Sequence, residues 1–163
     1  MTHPPPLRLT LPDADATTRL GAWFASHLQI GDVLLLEGPI GAGKTHFARA
    51  LIQARLAEAG RMEDVPSPTF TLVQVYEIAL AEIWHADLYR LGHPDEVTEL
   101  GLEEAFDTAI CLVEWPERLG DLQPSDALRL VFSVTNGGEA RQVALSGSAR
   151  WAGILAMLGT NDA

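Results

Sequence analysis

The fold of this chain is decided by the stretch Gly38-Pro39-Ile40-Gly41-Ala42-Gly43-Lys44-Thr45. The stretch satisfies the pattern G-x-x-x-x-G-K-[ST], which requires a strand before it and a helix after it. Residues 33–36 form a continuous apolar run, typical of a strand buried on both faces of a parallel sheet. Residues 44–57 have a helical pattern, so we predict a strand, a glycine-rich loop and a helix in succession.

The residue types of this loop indicate a phosphate-binding site. Gly41 and Gly43 have no side chains, so the backbone can curl until successive N–H groups converge on a phosphate. Lys44, the only lysine of the chain, is predicted to bridge the β- and γ-phosphates of a nucleotide. The Thr45 hydroxyl is predicted to ligate Mg²⁺.

A carboxylate on the magnesium side is expected at the end of a neighbouring apolar strand. There are two candidates, because Asp87 ends the run 83–87 and Glu114 ends the run 110–114. The alternative for each is a solvated carboxylate where a strand meets a surface loop, but we do not expect both carboxylates to be idle.

Length and composition indicate one globular domain. The chain has 163 residues, of which 47% are hydrophobic and 20% charged, and this excludes an intrinsically disordered chain. We therefore expect residues 1–163 to form a single domain.

Charge and cysteine content exclude several classes of function. The net charge of -11 provides no general attraction to nucleic-acid backbones or anionic lipids. A single cysteine forms no intrachain disulfide, the first residues do not have the pattern of a secretory signal, and no apolar stretch approaches the roughly 20 residues of a membrane helix. We expect a soluble, cytoplasmic protein with no membrane partner.

The remaining patterns predict a three-layered α/β fold, with a mainly parallel central sheet and antiparallel additions. An opening strand is predicted at 7–11, followed by a helix capped by Asp13. Residues 72–78 and 81–87 are predicted to pair as a hairpin, and a second hairpin is predicted around Asn136-Gly137-Gly138. Short helices at 95–100 and 102–106, a strand at 109–113 and a final helix at 149–158 complete the prediction.

Other polar residues favour structural interpretations. His85 and His93 lack a cysteine pair that would complete a metal site, so a hydrogen-bonded structural histidine is expected. Cys111 lies within an apolar run and is expected to be a buried, inert thiol. Trp115 could belong to the core or cover the site.

Four segments together resemble one family, the bacterial P-loop ATPases of tRNA threonylcarbamoyladenosine biosynthesis, known as TsaE or YjeE-type proteins. The segments are Gly41-Ala42-Gly43-Lys44-Thr45, Ser67-Pro68-Thr69-Phe70-Thr71-Leu72-Val73, His85-Ala86-Asp87-Leu88-Tyr89-Arg90 and Ile110-Cys111-Leu112-Val113-Glu114-Trp115-Pro116. The first is shared by all P-loop NTPases, whereas the other three are specific in combination. The resemblance runs over nearly the whole chain.

The resemblance implies a P-loop NTPase fold and a small ATPase that binds ATP or ADP with Mg²⁺. It implies two partner proteins, a threonylcarbamoyl-transferase subunit of the TsaD type and its paralogue of the TsaB type, with tRNA contacted only indirectly. Residues matching Thr45 and Glu114 ligate Mg²⁺ in the family, and the match to Asp87 lies at the nucleotide and is needed for activity.

The resemblance also extends to the nucleotide-binding residues. It places Asp13 near the nucleotide, and the loop from Gly41 through Ala42 and Gly43 to His46 around the phosphates. The sequence departs from the family at Pro39, where an acidic residue is frequent, and at His46, where threonine is frequent; both departures leave the phosphate cradle intact.

Slow hydrolysis accelerated within a complex is expected, since no obvious arginine finger is present. Arg49 and Arg90 are conceivable donors, but surface salt bridging is the expected role of each. Two other functions stay open: a nucleotide-gated binding module with little hydrolysis, and a small-molecule kinase. A GTPase is disfavoured because guanine recognition uses a second lysine, which this chain lacks.

Overall fold

The computed structural model of the chain describes residues 5–135 and 137–161. Its strands are β1 (Leu7–Leu11), β2 (Val33–Glu37), β3 (Val73–Ile78), β4 (Ala81–Asp87), β5 (Ile110–Glu114), β6 (Leu128–Val134) and β7 (Arg141–Ser146). Its helices are α1 (Ala14–Ala25), α2 (Lys44–Glu58), α3 (Asp95–Leu100), α4 (Leu102–Thr108) and α5 (Ala152–Asn161), with 3₁₀ turns at Pro116–Leu122 and Ala149–Trp151.

The strands form one seven-stranded sheet in the order β1-β7-β6-β2-β5-β4-β3. The four central strands, β6, β2, β5 and β4, run parallel to one another. β3 pairs antiparallel with β4 on one side, and on the other side β7 pairs antiparallel with β6 and β1 with β7. The predicted α/β class, with a mainly parallel centre and antiparallel additions, is therefore confirmed. The strand that precedes the glycine loop, β2, lies between β5 and β6.

Two apolar layers cover the faces of the sheet. Leu34 and Leu36 of β2 face a core that contains residues of α1, α2 and α5, such as Phe24 and Phe47. Leu35 faces the second core, which α3 and α4 complete. This alternation along a fully buried strand produces the predicted three-layer arrangement.

Several predicted boundaries shift by a few residues. β3 begins at Val73 rather than at residue 72, because Leu72 has a φ of 67° and cannot continue a strand. β5 is displaced by one residue and includes Glu114, and the final helix begins as a 3₁₀ turn. The second hairpin forms between β6 and β7, although Asn136 itself lies outside the described residues.

Within the described residues, no helix combines the length and the apolar character needed to cross a bilayer.

Candidate functional site

The carboxyl ends of β2, β5 and β4 meet at one edge of the sheet and border a cavity of about 650 Å³. Because parallel strands end at the same edge, Glu114 pairs in register with Asp87 of β4 and with Leu36 of β2. Most residues predicted for the site line this cavity, namely Asp13, Gly41, Gly43, Lys44, Thr45, His46, Asp87 and Glu114.

Ala42 is the exception among the predicted loop residues. Its side chain is fully buried in the core around α1 and α2, and it is not among the residues that line the cavity. Its backbone N–H donates to the Pro39 carbonyl at 3.2 Å. The structure therefore assigns Ala42 a packing contact beneath the loop.

The loop depends on glycine for two separate reasons. Gly41 and Gly43 have φ angles of 82° and 108°, in the left-handed region that other residues rarely adopt. Gly38, with φ 138°, also approaches β6 so closely that a Cβ atom there would lie 2.4 Å from the Phe132 carbonyl oxygen. A side chain at position 38 would thus displace the loop from β6.

Lys44 is the first residue of α2 and is almost completely buried. Its Nζ atom donates to the Gly38 carbonyl at 2.6 Å and lies 3.5 Å from the centre of the Trp115 ring. Burial lowers the pKa of Lys44, while the nearby carboxylates of Glu114, Glu117 and Asp87 oppose that shift. The only lysine of the chain is therefore held inside the loop by backbone and aromatic contacts.

Glu114 is buried and accepts a hydrogen bond on each of its carboxylate oxygens. Thr45 Oγ1 donates to Oε1 at 2.7 Å, and His85 Nε2 lies 2.7 Å from Oε2. Burial of a carboxylate costs free energy unless the group is paired and hydrogen-bonded. Thr45 and His85 provide these hydrogen bonds to Glu114. The arrangement joins the loop to β5 and β4 through one side chain.

Asp87 is the second buried carboxylate at this edge. Its Oδ1 accepts from the backbone N–H of Tyr89 at 3.1 Å. Burial raises the pKa of Asp87 and nearby Glu114 adds to the increase, whereas the Tyr89 bond and the neighbouring His85 and Lys44 oppose it. Both strand-end carboxylates are buried at the edge of the cavity rather than exposed on a surface loop, so the alternative of a surface carboxylate is wrong for both.

Asp13 and His46 lie at the border of the cavity and are already engaged. Asp13 caps α1 as predicted, since its Oδ1 accepts from the Ala16 N–H at 2.8 Å. His46 Nε2 lies 2.8 Å from the Thr18 hydroxyl and links the beginning of α2 to α1.

The structure adds residues that the sequence interpretation missed. His85 was expected to be structural, and its partner proves to be the site carboxylate Glu114. Arg141, at the start of β7, lines the cavity and donates from Nε to the Gly41 carbonyl at 3.2 Å. The signal for His85 was available, because His85 and Asp87 are two residues apart on β4 and must share a face of the sheet.

Arg49 and Arg90 do not have the expected salt bridges. Among residues 5–135 and 137–161, neither arginine forms an ion pair. Arg49 Nε instead donates to the Val65 carbonyl at 2.9 Å. The guanidinium of Arg90 lies over the exposed Phe70 ring, with 4.9 Å between the guanidinium carbon and the ring centre, and Arg90 lines the cavity.

The other single-residue expectations have clear outcomes. Cys111 is buried as predicted, and burial alone raises its pKa to about 12, which favours an inert thiol. Trp115 lines the cavity and also packs on Lys44 and Tyr89. In the part of the chain that the structure describes, no three His, Cys, Asp or Glu side chains are grouped so as to hold a metal ion by themselves.

Comparison with known proteins decides the family. The family model described as "Threonylcarbamoyl adenosine biosynthesis protein TsaE" matches residues 11–143, which include every predicted site residue. The chain belongs to the TsaE family. TsaE proteins are of the P-loop NTPase type, in agreement with the loop between β2 and α2.

Individual TsaE relatives agree with this assignment. The chain is 40% identical over 108 residues to the tRNA threonylcarbamoyladenosine biosynthesis protein TsaE of Rickettsia prowazekii, covering 66% of this chain and 73% of that protein. It is 36% identical over 132 residues to the Bacillus subtilis protein of the same name, covering 80% and 77%. The crystal structure of YdiB from Bacillus subtilis superposes with a TM-score of 0.78 at 25% identity, covering 99% of this chain and 97% of YdiB.

Proposed function

We propose that this TsaE protein acts in the cytoplasm as a Mg²⁺-dependent ATPase required for threonylcarbamoyladenosine modification of tRNA. The observation that carries the proposal is the convergence of Lys44, Thr45, Asp87 and Glu114 on one cavity beside the glycine loop. A lysine and a hydroxyl on such a loop, facing strand-end carboxylates, are the groups that P-loop enzymes use to bind and hydrolyse nucleotides.

The loop supports phosphate binding through its backbone. The first residues of α2 leave N–H groups without partners inside the helix, and their partial positive charge favours an anion. Lys44 adds a full charge at the same place. In the proposed bound state its Nζ atom exchanges the Gly38 carbonyl and the Trp115 ring for phosphate oxygens.

The donors at the cavity also suit magnesium. Thr45 and Glu114 provide hydroxyl and carboxylate oxygens, which are hard ligands that Mg²⁺ prefers. Magnesium retains waters and shares nucleotide phosphates as ligands, so two protein groups are enough for a site of this class. When bound, the ion neutralises charge that develops on the phosphates, and Thr45 and Glu114 would hold it.

The acidic surface supports an indirect relation to tRNA. A net charge of -11 opposes a phosphate backbone, so we propose that partners of the TsaD and TsaB type contact the tRNA and transfer the threonylcarbamoyl group. Since P-loop enzymes can receive an activating arginine from a partner protein, we expect those partners to stimulate a slow basal hydrolysis.

The test is release of phosphate from Mg·ATP by the purified protein, alone and with the two partner proteins. Partner-stimulated turnover that is lost in Lys44→Ala is the expected result. Full-speed turnover without partners would contradict the partner dependence.

The same assay separates the alternative functions. Binding of ATP with no turnover under either condition would favour the nucleotide-gated binding module. A phosphorylated acceptor in place of free phosphate would favour the kinase.

A further inference from the structure

We propose that His85 is a positioning residue that holds the Glu114 carboxylate in the orientation needed for magnesium, an inference that rests on the proposed function. His85 is not placed to contact the phosphates itself. Its ring is fully buried under the end of β4, and it is not among the residues that line the cavity.

Glu114 is the hydrogen-bond partner that the structure gives the His85 ring. Nε2 lies 2.7 Å from Glu114 Oε2, whereas Nδ1 is buried and has no hydrogen-bond partner. An unpaired buried N–H is more costly than an unpaired lone pair on a ring nitrogen, so the tautomer assigned by this bonding has its proton on Nε2. The ring then donates to Glu114, which is its hydrogen-bond partner at this buried position.

The position of His85 follows from strand geometry. On β4, residues 83, 85 and 87 share one face of the sheet, and on β5 residues 110, 112 and 114 share the same face. His85 pairs in register with Leu112, two residues before Glu114. Its ring therefore lies under the carboxylate, on the side away from the glycine loop.

The two carboxylate oxygens of Glu114 have different partners, and this gives the contact with His85 a function. Oε2 is occupied by His85, which leaves Oε1 on the side of Thr45, the other proposed magnesium ligand. Hydrogen-bonded partners of metal ligands fix the orientation of the ligand, and their loss typically weakens metal affinity by 10- to 100-fold. Without the His85 donor, the Glu114 side chain loses one of the two hydrogen bonds that fix its orientation.

Two amide variants of nearly equal polarity separate positioning from folding. His85→Gln places an N–H donor near the position of Nε2, whereas the shorter Asn of His85→Asn places its amide near Nδ1, out of reach of Glu114. His93→Gln is the matched control, because His93 is an exposed histidine outside the cavity.

The measurement is binding of the fluorescent nucleotide mant-ADP, first in EDTA and then during a titration with Mg²⁺. We expect His85→Asn to raise the Mg²⁺ concentration at the midpoint by about 10-fold or more. His85→Gln should stay within about 3-fold of wild type, and His93→Gln should not differ from it. In EDTA, all variants should bind mant-ADP as wild type does, because the phosphate-binding loop is unchanged.

The outcomes distinguish the two levels of inference. If the wild-type protein does not bind mant-ADP, or binds it without response to Mg²⁺, the proposed function fails. If wild type responds to Mg²⁺ and His85→Asn gives the same midpoint, the positioning role alone is overturned.

A measurement on the wild-type protein covers the case in which His85→Asn does not fold. In NMR spectra of the ¹⁵N-labelled protein, the His85 Nε2 proton should exchange slowly with water, both without ligand and with Mg·ADP. Exchange as fast as that of the exposed His93 ring in the Mg·ADP complex would overturn the inference.

Discussion

The middles of β2, β4 and β5 and the carboxyl ends of the same strands differ in what they contribute. The middles are apolar and fully buried, with Leu34, Leu35, Ile83 and Leu112 packed between two helical layers. The ends hold His85, Asp87 and Glu114, which are also buried but are polar or charged, and the two carboxylates border the cavity. A few residues along one strand thus separate a stabilising region from a region built for chemistry.

The difference teaches that burial has opposite effects in the two regions. Apolar burial contributes roughly 25 cal/mol per Å², whereas a buried charge must recover its lost hydration from specific partners. The strand middles therefore stabilise the sheet that holds the strand ends in place. Substitutions should separate these two contributions.

The largest effect is expected in a strand middle. Leu34→Ala removes a fully buried side chain of β2 and leaves a cavity in the core, so it should lower the free energy of unfolding by about 2.7–5 kcal/mol. Urea denaturation followed by circular dichroism measures this loss. Val131→Ala, on the half-exposed side of β6, is the control and should change stability by less than about 1 kcal/mol. Equal losses in both variants would contradict the assignment of stability to the strand middles.

Next in size is the effect of Lys44→Ala on turnover. Removing a charge aimed at the proposed phosphate position should reduce partner-stimulated phosphate release by about 10²–10³-fold, with an unchanged circular dichroism spectrum. Arg8→Ala removes the same formal charge at an exposed position of β1 and should leave turnover unaltered. Comparable losses in the two variants would show that net charge, and not the loop lysine, determines activity.

A smaller effect, a gain in stability rather than a loss, is expected from a substitution at Asp87. Burial raises the pKa of this carboxyl in the folded protein. At a pH above that raised pKa, the folded protein must hold a buried charge, and this lowers its free energy of unfolding. Asp87→Asn keeps an acceptor for the Tyr89 N–H but cannot ionise, so it should raise the free energy of unfolding of the ligand-free protein at pH 7 by about 1 kcal/mol, the order of a single stabilising substitution. The gain should disappear as the pH falls below the ordinary carboxyl pKa, where both states of the wild type are protonated.

Chemical denaturation at pH 7 and at acid pH checks the prediction for Asp87. The exposed Asp121→Asn is the control and should show no such pH-dependent gain. A variant at Asp87 that is less stable than wild type at pH 7 would refute the idea that this strand end is a source of instability.

The smallest expected effect is the absence of a reaction at Cys111. With a pKa of about 12 and a fully buried side chain, its thiol should not react with DTNB in the native protein and should react once urea unfolds it. Ala57→Cys, on the exposed side of α2, should react at once under native conditions. Rapid native reaction of the wild-type protein would show that the strand middle opens readily.

The sequence predicted the strand middles well because hydrophobic patterning depends on local periodicity. β2, the glycine loop and α2 follow from one motif and its flanks, and both hairpins follow from alternation and turn residues. The boundary at Leu72 was missed because its left-handed backbone angle depends on the contact between the Leu72 N–H and the Pro68 carbonyl, which no pattern of side chains specifies.

The sequence predicted which residues come together at the site. Their roles in binding remain proposals. Lys44, Thr45, Asp87 and Glu114 converge because parallel strands place their carboxyl ends at one edge. Arg141 was missed because its approach to Gly41 depends on β7 folding back beside β6, which brings together two residues that are far apart in the sequence. The prediction of salt bridges for Arg49 and Arg90 was wrong for the same reason, because the hydrogen-bond partners of an arginine depend on its neighbours in space.

The contact between Lys44 and Trp115 has a kinetic consequence for the proposed cycle. Because the ammonium group already has the Gly38 carbonyl and an aromatic ring as partners, an incoming nucleotide gains only the difference between the new contacts and those it displaces. The same partners are available again when the nucleotide leaves, so the lysine is not left buried and unpaired. In the proposed ATPase cycle, we expect these contacts to weaken the retention of the spent nucleotide and to favour its departure before the next round.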